Sequence, residues 1–338
     1  MSAAHLRVLQ VGPLVTLQDA GRFGALRYGV SAAGPMDRLS FAAANACLGQ
    51  HLGQTGVEIS LGGLALECVS GLVSLAVTGG EFGLELGGEA RAGWHVVTLE
   101  PGQRLSIRGG AWGSWAYLAF AGKLKARDWL GSAATASMTN FGGGALEPGQ
   151  ELIIEEAQAL PARNGPVQRP HGYAPPKTVR ASLGPQDRHF TPEQIEAFAQ
   201  DSFTVSGAYD RMGMQLHGPR LSPDGALSIP SEPILRGSVQ VSGDGTATIL
   251  LADHGTTGGY PKIATVIADD QDLLAQLRSG DRFRFSIVSP DDALSIARRE
   301  AQARVEYFAA LARPKASLAE KLMRENLVDG VVSDTPDD

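Results

Sequence analysis

The chain has 338 residues, 43% of them hydrophobic, which suffices for a sizeable core and suggests about two domains. A formal net charge of -7, with no basic stripe and no interleaved basic and aromatic residues, argues against a nucleic-acid partner. No apolar run nears the ~20 residues that span a bilayer, and "MSAAHLRVLQVG" lacks a signal-peptide core, so a cytoplasmic, non-membrane protein is expected.

Short strands broken by Gly or Pro come first: "LRVLQVGPLVTLQD" (6–19) and "LALECVSGLVSLAVTGG" (64–80). Between them "GPMDRLSFAAANACLG" predicts a short helix that starts at Pro35 and stops at Gly49. Gly87-Gly88 reads as a hairpin tip, and Pro-Gly pairs mark turns in "VVTLEPGQRLSIRGG" (96–110) and "LEPGQELIIEE" (146–156). In "TPEQIEAFAQ", Thr191 is an N-cap, Pro192 the first helical residue and Gln194 the capping-box partner. A longer helix begins at Ser289-Pro290 and ends before Pro314. Its Leu294, Ala297, Ala301, Val305 and Phe308 recur at three- and four-residue steps and predict one buried face. A second helical piece, "SLAEKLMRENL" (317–327), follows, then a frayed "SDTPDD".

Short strands and frequent turns predict a mainly β protein with a few helices, a barrel or sandwich rather than a Rossmann fold. The two halves echo each other loosely. "LQDAGRFG" and then "MDR" in the first half correspond to "PQDRHFT" and "YDRMGMQLHG" in the second, and "LEPGQRLSI" corresponds to "LRSGDRFRF". A duplication accounts for the kept order. It predicts a β domain at 1–160, a linker at 161–177, a second β domain at 178–289, and C-terminal helices with a frayed tail at 290–338. Cys47 and Cys68 lie in apolar surroundings and match no metal spacing, so they read as buried thiols in a reducing compartment. The seven histidines are scattered, and no metal site is expected.

The stretch "LADHGTTGGYPKIATVI" (251–267) concentrates polar residues between two apolar strands. It is not a P-loop, because Lys262 follows Pro261 and precedes Ile263. No GxGxxG opens a helix after a strand, and "GVSAA" (29–33) has Ala33 where a nucleophile elbow has glycine. A Met-Lys-Met biotin site and an amidase-type Ser/Gly loop are also missing. The chain alone therefore lacks these routes to ATP activation, biotin carriage and amide hydrolysis.

What remains is a set of polar candidates. Asp253, Tyr260 and Lys262 form the candidate catalytic group; Lys262 is one of only six lysines. The Gly258 and Gly259 amides could form an anion-binding nest, flanked by Thr256 and Thr257. Such a loop could hold a small planar amide or its carboxylated or phosphorylated form, with amides and lysine on the oxyanion and aspartate on the N–H. A plain hairpin is the alternative. Asp19 and Arg22, Asp37 and Arg38, and Asp210 and Arg211 would shape the walls or serve as scaffold pairs. Glu58, inside an apolar strand, is either a surface group or a buried carboxylate orienting an arginine. Gln240 and Glu232 flank the Gly237 turn.

"LQDAGRFG", "GVSAAGPMDRLSFAAANACLG", "GVEISLGG", "YDRMGMQLHG" and "TTGGYPKIATVI", in this order, resemble the allophanate-hydrolase subunit 2 family. That family includes the C component of 5-oxoprolinase and is similar to the carboxyltransferase domain of urea carboxylase. The resemblance runs from about Val8 to Val288. It implies two cyclophilin-like β-barrel domains and a companion B component of the allophanate-hydrolase subunit 1 type, joined by a third, A component. Together these would open 5-oxoproline to L-glutamate at the expense of ATP, with no residue of this chain assigned to the nucleotide. Two alternatives stand behind that reading. One is a carboxyltransferase served by biotin on a separate carrier, with urea as substrate. The other is a non-catalytic regulatory partner of the B component.

Overall fold

Alternating burial builds the strands. In Leu64–Ser70 the side chains of Leu64, Leu66 and Cys68 turn inward while Ala65 and Glu67 stay partly exposed. The computed structural model describes residues 3–184, 186–223 and 228–313.

The first β unit is two antiparallel sheets. One runs in the order Lys123–Leu124, Glu151–Glu155, Ala4–Val11, Leu64–Ser70, Arg104–Gly109, Phe82–Leu86, Glu89–Ala92. The other runs Gly165–Pro166, His95–Leu99, Val73–Thr78, Trp115–Phe120, Gly56–Ser60, Thr16–Gln18. Leu6, Leu66, Phe82 and Ile107 of the first sheet share a core with Val57, Leu75, Val97 and Leu118 of the second. The Gly87-Gly88 hairpin is present, joining Leu86 to Glu89. The Pro101-Gly102 turn instead passes the chain from one sheet to the other.

The second unit is a closed barrel in the order Thr178–Leu183, Lys262–Val266, Ser238–Val241, Ala247–Leu250, Gly213–His217, Ser202–Tyr209, Arg282–Ile287. Its ends meet through one parallel pairing, Thr178–Ala181 against Arg284–Ile287. The predicted mainly β fold with few helices is therefore what the chain forms.

Helix α1 (Arg38–Cys47) starts three residues after Pro35, because Asp37 is its N-cap and accepts from Ser40 N at 2.9 Å. The Met36 amide is taken by Glu58 instead. Helix α2 (Pro192–Gln200) has the predicted capping box at Thr191 and Gln194. Its Phe198 stacks on Phe285 of the barrel at 4.3 Å. A short α3 (Gln271–Leu274) precedes the last barrel strand.

Helix α4 (Pro290–Ala312) is capped by Ser289 as predicted, and of its expected face Phe308 packs while Leu294 and Val305 do not. Leu294 and Val305 are 50% and 63% exposed, whereas Tyr307, Phe308 and Leu311 pack against Trp94 and Tyr173. The helix is rich in alanine, so two faces carry similar apolar spacing, and the side with aromatics buries more area. The segment 161–177 is anchored: Gly165–Pro166 pairs with His95 and Val96, and Tyr173 is buried. The piece 317–327 and the tail lie outside the described residues. Cys47 and Cys68 are both buried and are not joined in a disulfide.

Both units contribute to one continuous core. Met36, Phe41, Trp115 and Tyr117 of the first join Phe203, Val239, Ile249 and Phe283 of the second.

Candidate functional site

A chain of buried charges crosses the boundary between the units. Arg211, just after the barrel strand Ser202–Tyr209, is fully buried, as is Glu58 on the strand Gly56–Ser60. The Arg211 guanidinium grips Asp253 with two bonds, Nε to Oδ2 at 2.9 Å and Nη2 to Oδ1 at 2.8 Å. It also donates to the Gly34 carbonyl and, through Nη1, to Glu58 Oε1. The second oxygen of Glu58 accepts from Met36 N at 2.7 Å and from the Tyr117 hydroxyl at 3.0 Å. Glu58 is thus a carboxylate that orients an arginine. A bidentate pair whose remaining oxygens also find donors is the geometry that offsets burying such charges. Burial works against ionising Asp253. Arg211, with bonds from the Ser137 backbone and side chain as well, outweighs it and holds that carboxyl below its ordinary range.

Asp253 extends the chain into a cleft. Its Oδ2 accepts from Ser137 N at 2.9 Å, fixing a loop of the first unit against the second. That loop and its surroundings enclose a cavity of about 400 Å³. The cavity walls include Trp129, Met138, Phe141, Met212, His254 and Thr256. A second cavity of about 570 Å³, with Tyr209, Asp210, Gln215 and Thr248, shares Met212, His254 and Gly255 with it. A mostly apolar cleft of this size between two domains, with a few polar groups converging, suits a small ligand. Trp129 and Phe141 lie 4.7 Å apart. Arg22 braces this wall from behind, 4.5 Å from the Trp129 ring, donating to the Trp129, Ser132 and Ala134 carbonyls. Asp19 accepts from Ser132 Oγ and Ala133 N, tying down the same loop. Asp19 and Arg22 therefore shape the cleft without lining it.

The remaining candidates fall into other groups. Lys262 does not line the cleft. Its ammonium is buried in the barrel wall without a hydrogen-bond partner, 3.9 Å from Glu232. Burial pushes the lysine below its ordinary pKa, against the pull of Glu232. Gln240 sits opposite Lys262 on the neighbouring strand, and its amide nitrogen is also unpaired. Gln186 bridges the group, bonding Glu232 and accepting from Lys262 N at 2.9 Å. Gly258 and Thr257 form a short strand against Glu232–Pro233 that covers this group. Neither Gly258 nor Gly259 has the positive φ that an anion nest uses, so the expected nest is not formed. Gly258 is needed for closeness instead, since a Cβ there would collide with Gln240 Nε2. Tyr260 is 45% exposed and outside the cleft.

Asp37 and Arg38 serve α1 and the unit boundary. Asp37 accepts from Tyr173 and Gln276, and Arg38 pairs with Asp272 at 2.9 Å. Burial raises the Asp37 carboxyl, helped by Asp272. Asp210 caps a tight turn through Met212 N and Gly213 N and borders the second cavity. Sequence reasoning missed His254, Ser137, Trp129, Met138, Phe141 and Gln186. One signal was available: "WLGSAATASMTNFGGG" (129–144) carries large apolar residues without strand periodicity, as ligand-binding loops do.

Known proteins share this architecture. The family model described as carboxyltransferase domain, subdomains A and B, matches residues 28–287. The C component of Escherichia coli 5-oxoprolinase is 32% identical over 91% of this chain and 97% of its own length. The crystal structure of TTHA0988 superposes with a TM-score of 0.76 at 32% identity, covering 84% of this chain; the chain spans 55% of that protein. The Kluyveromyces lactis urea carboxylase matches in fold, with a TM-score of 0.80 at 24% identity over 95% of this chain and 30% of that one. Among the described residues no helix is long and apolar enough to cross a membrane.

Proposed function

Since this chain belongs to the carboxyltransferase-domain family of subdomains A and B, we propose that it is the C component of a multi-subunit, ATP-dependent 5-oxoprolinase. The observation that carries this reading is the match along nearly the whole of a protein named as that component. The cleft between the units would receive the planar amide ring, stacked on Trp129 and Phe141. Asp253, held by Arg211, would act through the Ser137 loop that it positions. Away from the cleft, in the barrel wall, Lys262 Nζ and Gln240 Nε2 are two buried donors without hydrogen-bond acceptors, and a carboxylate or a polarised carbonyl oxygen brought to them in the assembled complex would satisfy both. ATP would be consumed by the assembled complex.

The cleft's surroundings support a partner. Phe23 and Tyr28 are 77% and 71% exposed, Leu130 and Met138 62% and 76%. These residues lie on or near the cleft-lining loops, where exposed aromatic and apolar side chains favour a protein contact. We assign that contact to the B component, with the A component completing the enzyme.

The test is turnover by the co-purified components. Oxoproline-dependent ATP hydrolysis that vanishes when this chain is omitted is the expected result. A second reading, carboxyl transfer from biotin on a separate carrier to urea, is favoured by the description of the family model. It predicts urea-dependent turnover with a biotin carboxylase and carrier instead. Tight binding to the B component with neither activity would leave a purely regulatory role.

A further inference from the structure

His254 is 6% exposed and lines both cavities of the cleft, at the point where they join. Its Nδ1 lies 2.5 Å from the Gly255 carbonyl oxygen. A carbonyl only accepts, so Nδ1 carries a proton, and in the neutral ring the other nitrogen, Nε2, presents a lone pair. Nε2 has no protein partner among the described residues, and it is not sealed off as a buried orphan. The ring is therefore a fixed acceptor opening on the cleft. Burial and the nearby Arg236 also disfavour the imidazolium, against the Gly255 carbonyl and Asp253, which keeps that lone pair available.

The neighbouring carboxylate is nearly fully buried and largely committed to Arg211. Both Asp253 oxygens are engaged by Arg211, and Oδ2 also holds Ser137 N. The other walls of the 400 Å³ cavity are chiefly apolar or small. A planar amide lying on Trp129 and Phe141 would present its N–H at its edge, and a neutral imidazole nitrogen is the acceptor that fits such a donor.

We infer that His254 Nε2 accepts the hydrogen bond from the substrate's amide N–H and so selects ligands with a free N–H. This deepens the amide-binding reading of the cleft and rests on it. A site built to pair a polar group rejects an analogue that lacks it, whereas an apolar pocket tolerates either.

The test is binding to the full chain, alone and assembled with its companion components. The ligands are 5-oxoproline, N-methyl-5-oxoproline and urea, with histidine ring nitrogens followed by 15N NMR. The expected result is a shift of His254 Nε2 with 5-oxoproline and a loss of about tenfold or more in affinity for the N-methyl analogue. His254→Gln, which keeps an acceptor, should retain binding within about threefold; His254→Leu should lose about tenfold and no longer discriminate the two ligands. Unchanged 5-oxoproline binding in both variants, or equal binding of both ligands by the native chain, overturns the role of His254 and leaves the oxoprolinase reading intact. If 5-oxoproline fails to bind but urea shifts Nε2, the oxoprolinase reading falls and His254 stands. If neither amide shifts Nε2 in any mixture, the inference is wrong.

Discussion

Arg211 holds two buried carboxylates at once, and removing it leaves both Glu58 and Asp253 unpaired. Arg211→Met should cost about 3–5 kcal/mol in urea unfolding. Asp253 titrates in a definite direction. Its folded pKa lies below the unfolded value, so its contribution is whole above about pH 4 and drains away as pH falls through the folded pKa. His254 behaves alike for a different reason: its neutral form is preferred in the fold. Stability should therefore decline as pH drops below about 6.5, where the unfolded imidazole takes a proton first. Lys262 has the opposite profile to a structural residue. Lys262→Met should leave the Tm unchanged or raise it, since a buried ammonium without a hydrogen-bond partner disappears, while abolishing the proposed oxoproline-dependent ATP turnover. A large loss of Tm would show that the lysine is scaffold. Sequence alone marked Glu58, Arg211, Asp253, Gln240, Glu232 and Lys262, because charges and amides within, beside or between apolar strands are conspicuous. It could not sort them into two groups, since that depends on how strands far apart in the chain pair.

At the scale of elements, helix boundaries were legible where side chains a few residues away decide them. Thr191 and Ser289 cap their helices through neighbours three residues on. Thr191→Ala should therefore destabilise the protein by about 1 kcal/mol, read as a lowered urea midpoint with an unchanged m-value. The start of α1 was not legible, because the Met36 amide goes to Glu58 on a distant strand. The packed face of α4 was legible only at Phe308, because its alanines fit either side. Val305→Lys should accordingly shift stability by no more than about 0.5 kcal/mol, whereas Phe308→Ala, half-buried beside Tyr307, should cost measurably more. The loop 129–144 reads as a functional segment only through its irregular composition, and its contact with Asp253 spans 116 residues of sequence.

At the scale of the molecule, the two β units share one core and a set of buried polar links: Arg211 to Glu58, Arg38 to Asp272, Gln276 to Asp37. Unfolding should then be a single transition, with calorimetric and van't Hoff enthalpies in agreement; two separable transitions would mean that the boundary is weak. The mainly β class was legible from turn spacing. The sheet order was not, because non-local pairing leaves no trace in local pattern. The barrel's closing pair has a further bearing, on the order of events during synthesis. Strand Thr178–Leu183 finds its parallel neighbour only in Arg282–Ile287, about a hundred residues later in the chain. Until the ribosome has released that last strand, the emerging second unit has an open edge, while the first has all its sheet strands but lacks the second unit's share of the core and the helix that packs on α1. The nascent chain therefore passes through a long interval with half of its shared core exposed. In that interval chaperone capture or early contact with another protein would govern how much is recovered.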